Sequence, residues 1–227
     1  MIVAIDGPAG SGKSTTARRV AKETGYLYLD TGAMYRATAL AFLRRDREAT
    51  SEAARAVLPD VQLGVKHERG EMRILLGDDD VTRAIRTPAI SRLTSTISEL
   101  RPVREKLVEE QRRIARRFAS EEGGGVVIDG RDIGTVVFPD ADVKVFVVAD
   151  PEVRARRRKR DLEADEVSVS FEEVLADIKE RDRQDRRRDI APLRRAEDAI
   201  ELDTTHRSVE EQVQFVVDRI RERRRGE

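Results

Sequence analysis

The sequence predicts an α/β fold, in which a mostly parallel sheet of five strands is covered by helices on both faces in three layers. Short apolar runs typical of buried strands recur along the chain and alternate with helical stretches. The last helix carries one apolar stripe from Val209 to Ile220, which indicates packing on a sheet. Strands that alternate with such helices form parallel sheets. The five predicted strands are Ile2 to Ile5, Tyr26 to Leu29, Val126 to Ile128, Val143 to Val148 and Ala199 to Leu202.

Two stretches depart from this alternation. The first, about Val61 to Val81, has two β-like runs around the turn-like sequence Glu68-Arg69-Gly70, and it predicts a small antiparallel insertion. The second, about Arg154 to Arg188, is dense in charges of both signs, so we expect it to be largely exposed or to face a charged ligand. Such runs are usually solvated helix faces, but they also suit a lid that closes over a nucleotide. We place this lid at about Val153 to Val169.

The composition excludes several classes of protein. The 227 residues contain no cysteine and only two histidines, which excludes disulfides, thiolate nucleophiles and metal sites rich in Cys or His. The 44 basic residues are balanced by 44 acidic ones, so the chain lacks the positive field of a general nucleic-acid or membrane binder. The chain has no basic leader and no apolar run of membrane-spanning length, which predicts a soluble cytoplasmic protein.

A phosphate-binding loop follows the first strand directly. It matches the pattern G-x-x-x-x-G-K-[ST] at every fixed position, with a strand before it and a helix after it. In such a loop, backbone N–H groups converge on the β-phosphate, Lys13 reaches the β- and γ-phosphates, and the Ser14 hydroxyl binds Mg²⁺. The expected ATP-binding residues are therefore Gly7, Pro8, Ala9, Gly10, Ser11, Gly12, Lys13, Ser14 and Thr15.

This loop alone does not define the reaction, because switches, motors and small-molecule kinases share it. The other informative residues follow the second and third predicted strands. Asp30 or Thr31 is a natural helix cap, with Arg36 about one turn further along. Asp129 ends a buried strand, where an acid can orient the Mg²⁺ shell through water, although salt bridging with Arg131 is an alternative.

Several blocks together resemble the bacterial cytidylate kinases, one of the nucleoside-monophosphate kinase families that share the phosphate-binding loop. The resemblance covers essentially the whole chain. It rests on Gly7 to Ser14, Asp30 to Arg36, the insertion, Ile85 to Thr87, Arg101 to Arg104, Asp129 to Pro139, Ile178 to Asp182 and the segment through Arg188 to Leu193.

The resemblance implies three regions: a core at 1–30, 122–152 and 190–227, an acceptor-binding region at 31–121, and a lid with its arginine-rich helix at 153–189. It also implies a set of acceptor-site residues: Thr31, Tyr35, Arg36, Ser95, Arg104, Asp129, Arg131, Asp132, Arg181, Asp185 and Arg188. Those expected to act in catalysis are Lys13, Asp129, Arg131, Arg181 and Arg188. Arg157 is the lid arginine expected to contact ATP.

The resemblance implies transfer of the γ-phosphoryl group from Mg-ATP to CMP or dCMP. Arginines would gather around the phosphates, while Ser95, Arg181 and Asp185 would meet the sugar hydroxyls. Asp132 can accept a hydrogen bond from the N4 amino group of cytosine, and Arg104 can donate to N3 and O2. Uracil would place O4 against that carboxylate, so the site favours CMP over UMP.

Two alternatives remain at this point. The acceptor could be UMP, another nucleotide or a non-nucleotide such as shikimate, or the chain could be a nucleotide-dependent switch or a nucleic-acid-binding protein without a small acceptor. The Asp129 to Asp132 block argues against the first alternative, and the balanced charge gives no support to nucleic-acid binding. We expect a monomer whose partners are small-molecule substrates, with no nucleic acid or membrane partner.

Overall fold

The computed structural model describes residues 1–68, 71–120, 124–164 and 167–226. It contains a five-stranded sheet in the order β2-β6-β1-β7-β8 and a separate three-stranded sheet in the order β3-β4-β5. The strands of the larger sheet are β1 (Ile2–Asp6), β2 (Leu27–Asp30), β6 (Val126–Gly130), β7 (Val143–Val148) and β8 (Ile200–Asp203). Each predicted strand is therefore present, with ends shifted by no more than two residues.

The larger sheet has the parallel pairing that the alternation of elements predicts. β1 pairs with β7 from Val3 opposite Val143 to Asp6 opposite Phe146, and β7 pairs with β8 from Val145 opposite Ile200. Apolar residues predominate in β1, β6 and β7 because helices flank this sheet, and Lys144 is the charged residue within β7. The parallel register brings the ends of β1, β6 and β7 to one edge of the sheet, where the phosphate-binding loop begins.

Eight α-helices are described in chain order. Several begin at a side-chain cap: Asp30, Thr50, Thr87, Ser170 and Ser208 each accept a hydrogen bond from a backbone N–H in the first turn. The helices are α1 (Lys13–Thr24), α2 (Thr31–Arg44), α3 (Ser51–Val57), α4 (Pro88–Ile97), α5 (Arg101–Ala119), α6 (Pro151–Ala164), α7 (Phe171–Arg187) and α8 (Val209–Arg225). Short 3₁₀ turns lie at Leu58–Asp60 and Ala84–Arg86.

The predicted insertion is the second sheet. β3 (Leu63–Glu68) and β4 (Glu71–Leu76) pair antiparallel over their whole length, and the two-residue β5 (Asp79–Asp80) extends the sheet. The predicted turn at Arg69-Gly70 lies outside the described residues. The α/β class, the five-stranded sheet and the small antiparallel sheet are thus confirmed.

The chain divides into two compact units, Met1–Tyr26 with Val127–Glu227, and Leu27–Val126. The first unit holds the phosphate-binding loop, and α1 packs on α8 within it. In the second unit, α2 packs on α4 and on β4. The predicted border between core and acceptor region at 121–122 and two residues of the predicted lid, 165–166, fall outside the described residues.

The described residues of the charge-dense stretch are largely exposed or half-buried, as the sequence predicts, but part of its inner face is buried. Arg154 is 2% exposed and Asp182 is 8% exposed. The two side chains form a bidentate ion pair, with Arg154 Nη2 at 2.6 Å from Asp182 Oδ2. They can be buried because each supplies the opposite charge and the hydrogen bonds that the other needs. Within the described part of the chain, no helix is long and apolar enough to cross a membrane.

Candidate active site

The phosphate-binding loop joins the end of β1 to the start of α1. A Cβ atom on Gly7 would lie 2.2 Å from the carbonyl oxygen of Val147, so a side chain cannot fit between the loop and β7. Gly12 precedes α1 with φ +90°, in the left-handed region that glycine adopts without strain. These two glycines let the loop turn tightly and present its N–H groups at the positive end of α1.

Two side chains at the start of α1 are the ones that this motif uses. Lys13 is buried, and its Nζ donates a hydrogen bond to the Pro8 carbonyl oxygen at 3.3 Å. The Ser14 hydroxyl donates to the Asp129 carboxylate at the end of β6. A hydroxyl and a carboxylate are the oxygen ligands that Mg²⁺ prefers, and this cation usually completes its shell with phosphate oxygens and water. The residues present therefore fit the predicted magnesium site.

A buried carboxylate holds two of the predicted catalytic arginines. Asp185, on α7, accepts from Arg131 Nε at 3.0 Å through one oxygen and from Arg188 Nη2 through the other. Burial raises the pKa of Asp185, but the charges of Arg131 and Arg188, with a contribution from Lys13, outweigh burial and hold that pKa below its usual value. The sequence predicted Asp185 as a partner of the sugar, and here its carboxylate orients two guanidinium groups.

The Arg188 guanidinium keeps a donor for a ligand. Its Nε atom is buried and has no hydrogen-bond acceptor among the described residues. The hydroxyl oxygen of Ser11, inside the phosphate-binding loop, is likewise buried without a hydrogen-bond partner among them. A buried polar atom without a partner costs free energy, which a phosphate oxygen placed near it would recover.

Arg181 and Arg157 have partners of their own. Arg181 is half-buried on α7, and its Nε lies 3.0 Å from Oδ2 of the more exposed Asp177. Arg157, on α6, donates from Nη1 to Thr204 Oγ1 at 3.0 Å and from Nη2 to the Thr204 carbonyl at 2.7 Å. Because Thr204 Oγ1 also donates to the Ser11 carbonyl, Arg157 lies beside the phosphate-binding loop. Burial is the main cause that lowers the pKa of Arg157 from its ordinary value.

The segment after β6 forms a turn of π-helix at Ile133–Val137. The carbonyl oxygen of Asp132 accepts from Val136 N at 2.9 Å and from Val137 N at 3.1 Å, which starts this turn, and the residue is 7% exposed. Asp6, the last residue of β1, was not identified from the sequence. Its carboxylate accepts from Ile133 N and Gly134 N, both at 2.8 Å, and fixes the start of the turn.

Burial is the main cause of an unusual pKa at Asp6. It raises the pKa from 3.8 to about 7, more than the two backbone hydrogen bonds lower it, and the nearby Asp132 raises it further. The sequence does offer a signal for this residue, because a carboxylate directly after an apolar strand and before the glycine loop requires buried partners. Nothing in the spacing says which N–H groups those partners are.

In the second unit, Asp30 has two roles. One carboxylate oxygen accepts from Ala33 N at 2.8 Å as the cap of α2, and the other lies 3.0 Å from Arg36 Nη2. The capping interpretation of Asp30 is confirmed. Two other predicted acceptor residues share this helix: Thr31 is buried and Tyr35 is half-buried.

Arg104 and Ser95 are connected within the second unit through a third residue. Arg104 is 5% exposed, and its Nη1 donates to the Ser98 carbonyl at 3.4 Å, while the Ser98 hydroxyl donates to the Ser95 carbonyl at 2.8 Å. The junction between α4 and α5 thus brings these two predicted residues into one segment.

A comparison with known families identifies the family of this chain. The family model described as cytidylate kinase matches residues 3–222. The chain belongs to the cytidylate kinase family. The cytidylate kinase of Salinibacter ruber is 59% identical over 97% of this chain and 97% of its own length. That of Geobacter sulfurreducens is 47% identical over 100% and 95%, and that of Carboxydothermus hydrogenoformans is 48% identical over 94% of each.

The solved structures that are similar to this chain are more distant in sequence. The structure titled TT1252 from Thermus thermophilus has 21% identity and a TM-score of 0.47, and it covers 98% of this chain and 96% of its own. A gluconokinase from Sinorhizobium meliloti has 15% identity and a TM-score of 0.45 over 97% and 91%.

Membership of the cytidylate kinase family makes the chain an enzyme, an ATP-dependent nucleotide kinase of the transferase class. The phosphate-binding loop, Lys13 and the Ser14–Asp129 pair all lie in the first unit. The two arginines on Asp185 are additional positive charges in the same unit.

Proposed function

We propose that the chain transfers the γ-phosphoryl group of ATP to CMP or dCMP, giving ADP and CDP or dCDP, with Mg²⁺. One observation in this member of the cytidylate kinase family carries the proposal. The phosphate-binding loop lies in the same unit as Asp185, the buried carboxylate that holds two arginines, and the Lys13 charge is near enough to lower the pKa of Asp185. Reaction by in-line attack of the acceptor phosphate needs positioning and charge neutralisation rather than a protein nucleophile.

Four cationic side chains supply the charge. Lys13 would bind the β- and γ-phosphates, while Arg131, Arg181 and Arg188 would donate to the oxygens on which negative charge changes during transfer. Asp185 keeps Arg131 and Arg188 in place before the substrates bind, so little reorganisation is needed at the moment of reaction. The free Nε donor of Arg188 is consistent with a phosphate oxygen as its acceptor.

Ser14 and Asp129 would hold the magnesium ion, Ser14 directly and Asp129 through water. When bound, Mg²⁺ neutralises charge on the phosphates and orients them. The hydrogen bond from the Ser14 hydroxyl to Asp129 supports this assignment, because it brings a hydroxyl and a carboxylate oxygen together at the start of α1 and the end of β6.

CMP would be recognised through three groups of side chains. Thr31, Tyr35 and Arg36 would bind its phosphate end, and Ser95, Arg181 and Asp185 its sugar. Asp132 and Arg104 would read the base, by accepting from N4 and donating to N3 and O2. The burial of Arg104 and Asp132 supports a role in base selection, because a dry polar site rejects a ligand that leaves its groups unpaired.

The three regions expected from the sequence are proposed as the functional division: a core, an acceptor-binding region at 31–121, and a lid at 153–189 in which Arg157 contacts ATP. Arg157 lies beside the Ser11 carbonyl, which supports its assignment to the ATP side. We further propose that the enzyme is a cytoplasmic monomer whose partners are its nucleotide substrates.

The test is ADP formation from Mg-ATP by the purified protein, measured separately with CMP, dCMP, UMP, AMP and shikimate. We expect turnover with CMP and dCMP, and an Asp132→Ala variant should lose at least about a hundredfold in kcat/KM for CMP because its base contact is gone. Asp140→Ala is the matched control, since Asp140 lies in the same segment but is exposed.

Two results would contradict the proposal. If ATP is hydrolysed at one rate whatever acceptor is added, the chain is a nucleotide-dependent switch and not a CMP kinase. If Asp132→Ala and Asp140→Ala lose CMP activity equally, the base contact lies elsewhere and UMP discrimination has another origin.

A further inference from the structure

Arg154, in the first turn of α6, is a buried arginine in which all three guanidinium nitrogens donate hydrogen bonds. Its Nε donates to the Ala149 carbonyl at 3.0 Å, and its Nη1 donates to the Ala9 carbonyl at 3.1 Å and to Asp182 Oδ1 at 2.9 Å. Its Nη2 donates to Asp182 Oδ2 at 2.6 Å. One guanidinium group therefore touches the end of β7, the phosphate-binding loop and helix α7.

The contact with the phosphate-binding loop is close as well as polar. Gly10 has φ +72°, and a Cβ atom added there would lie 3.1 Å from both the Cβ atom and the carbonyl oxygen of Arg154. The loop backbone at Ala9 and Gly10 thus rests directly on the first turn of α6. A displacement of Arg154 would move the loop that holds the nucleotide phosphates.

The contact with α7 reaches the arginines that are proposed to act in phosphoryl transfer. Asp182 follows Arg181 directly and lies three residues before Asp185, which holds Arg131 and Arg188. Asp182 and Asp185 are spaced to share one face of the helix, and both are buried. The position of Asp182 therefore sets where this end of α7 lies relative to the phosphate-binding loop.

Apolar contacts also hold α6 against α7, so the ion pair is not needed to keep the two helices together. Further along the two helices, Ala155, Val174 and Ile178 form a buried apolar cluster with Leu162, Phe171 and Leu175 packed against it. A buried ion pair is seldom more stabilising than apolar residues of similar volume, but a bidentate arginine fixes distance and orientation. The Arg154–Asp182 pair is thus better suited to fixing geometry than to adding stability.

We propose that Arg154 and Asp182 are positioning residues of the phosphoryl-transfer step, which hold the arginines organised by α7 at a fixed distance from the phosphate-binding loop. This inference rests on the proposed function. It predicts that the pair acts on kcat, because a small misplacement of groups that stabilise the transition state costs rate, while ground-state binding of the nucleotides depends on other contacts.

The experiment compares steady-state kinetics of Arg154→Lys and Asp182→Asn with the wild-type enzyme, using ATP and CMP. Lysine keeps the charge but cannot reach Ala9 and both Asp182 oxygens, and asparagine keeps the shape but loses one acceptor and the charge. We expect kcat to fall roughly tenfold to hundredfold in each, with either KM changed by less than about threefold. The kcat of the double variant should be no lower than that of the less active single variant, because both substitutions break the same Arg154–Asp182 contact.

The control is Glu180→Gln on the same helix. Glu180 is half-buried, with 45% of its side chain exposed, and it accepts from Arg183 at 2.7 Å and from Gln184 at 2.9 Å rather than from either member of the buried pair. We expect wild-type kcat from this variant.

A paired apolar variant, Arg154→Met with Asp182→Leu, separates positioning from stability. It removes both charges together, so the protein should stay folded even if a single change does not. A folded variant with low kcat supports the positioning role, and recovery of wild-type kcat overturns it. Wild-type kcat in both single variants overturns the positioning role and leaves the proposed function intact. Absence of CMP-dependent ADP formation in the wild-type protein overturns the proposed function, and the positioning role with it.

Discussion

At the scale of single residues, the site depends on carboxylates that accept hydrogen bonds from other residues of the chain. Asp6 accepts from two backbone N–H groups, Asp30 caps α2 and holds Arg36, and Asp185 holds two arginines. The pKa values of Asp185 and Asp6 follow from these surroundings. Asp185 lies between positive charges and its pKa falls, whereas Asp6 has only neutral donors as partners and its pKa rises.

Asp6 should make the stability of the ligand-free protein depend on pH. A carboxyl group with a folded pKa of about 7 and an unfolded pKa near 3.8 binds its proton more tightly in the folded state. Its contribution to stability is therefore complete below about pH 4 and is lost as pH rises toward 7. Between pH 5 and pH 8, the free energy of unfolding should fall less in Asp6→Asn than in wild type. The difference between the two decreases should be on the order of 2 kcal/mol.

Urea unfolding at several pH values measures this difference. The matched control is Asp140→Asn, an exposed carboxylate whose loss should leave the pH profile parallel to that of wild type. Parallel profiles for Asp6→Asn and wild type would show that Asp6 does not hold its proton in the folded state.

At the scale of elements, the ends of the helices follow local sequence, while their contacts do not. α7 and α8 both begin with a capping box, in which Ser170 or Ser208 exchanges hydrogen bonds with the Glu three residues later. The apolar stripe on α8 is half-buried at Val209 and buried from Val213 to Ile220, as its period predicts. The π-helical turn after β6 has no such local signal, because Asp6, which fixes its start, is 127 residues away in the chain.

The capping box of α8 should contribute measurably to stability. Ser208 Oγ accepts from Glu211 N at 3.2 Å, so Ser208→Ala leaves a backbone N–H at the helix start without its side-chain acceptor. We expect the free energy of unfolding to fall by about 1 kcal/mol. Denaturant unfolding with Ser208→Ala, beside the exposed Ser120→Ala, tests this value. An equal effect of both substitutions would mean that the cap contributes nothing specific.

At the scale of the whole molecule, neither charge nor apolar surface calls for a macromolecular partner. The net charge is zero, with 44 residues of each sign. In the described part of the chain, the large apolar residues classed as exposed are Leu43 at 54% and Ile200 at 38%. An interface between subunits usually needs a contiguous apolar patch, which two such residues do not form.

We expect the protein to be a monomer in solution, as proposed above. Light scattering after size-exclusion chromatography should give a mass of 25.7 kDa that does not change with protein concentration. A mass of twice that value at micromolar concentration would contradict this prediction and would indicate a self-complementary surface.

The sequence by itself determined the strands, the insertion, the phosphate-binding loop and the family, because each is encoded by neighbouring residues or by short motifs. Tertiary structure alone decided that Asp6 binds the turn after β6, that Asp185 orients two arginines, and that Arg154 and Asp182 are buried together. Apart from the contact of Asp185 with Arg188, these contacts join residues far apart in the chain. A charged residue in a sequence does not reveal whether its partner is water or a buried opposite charge.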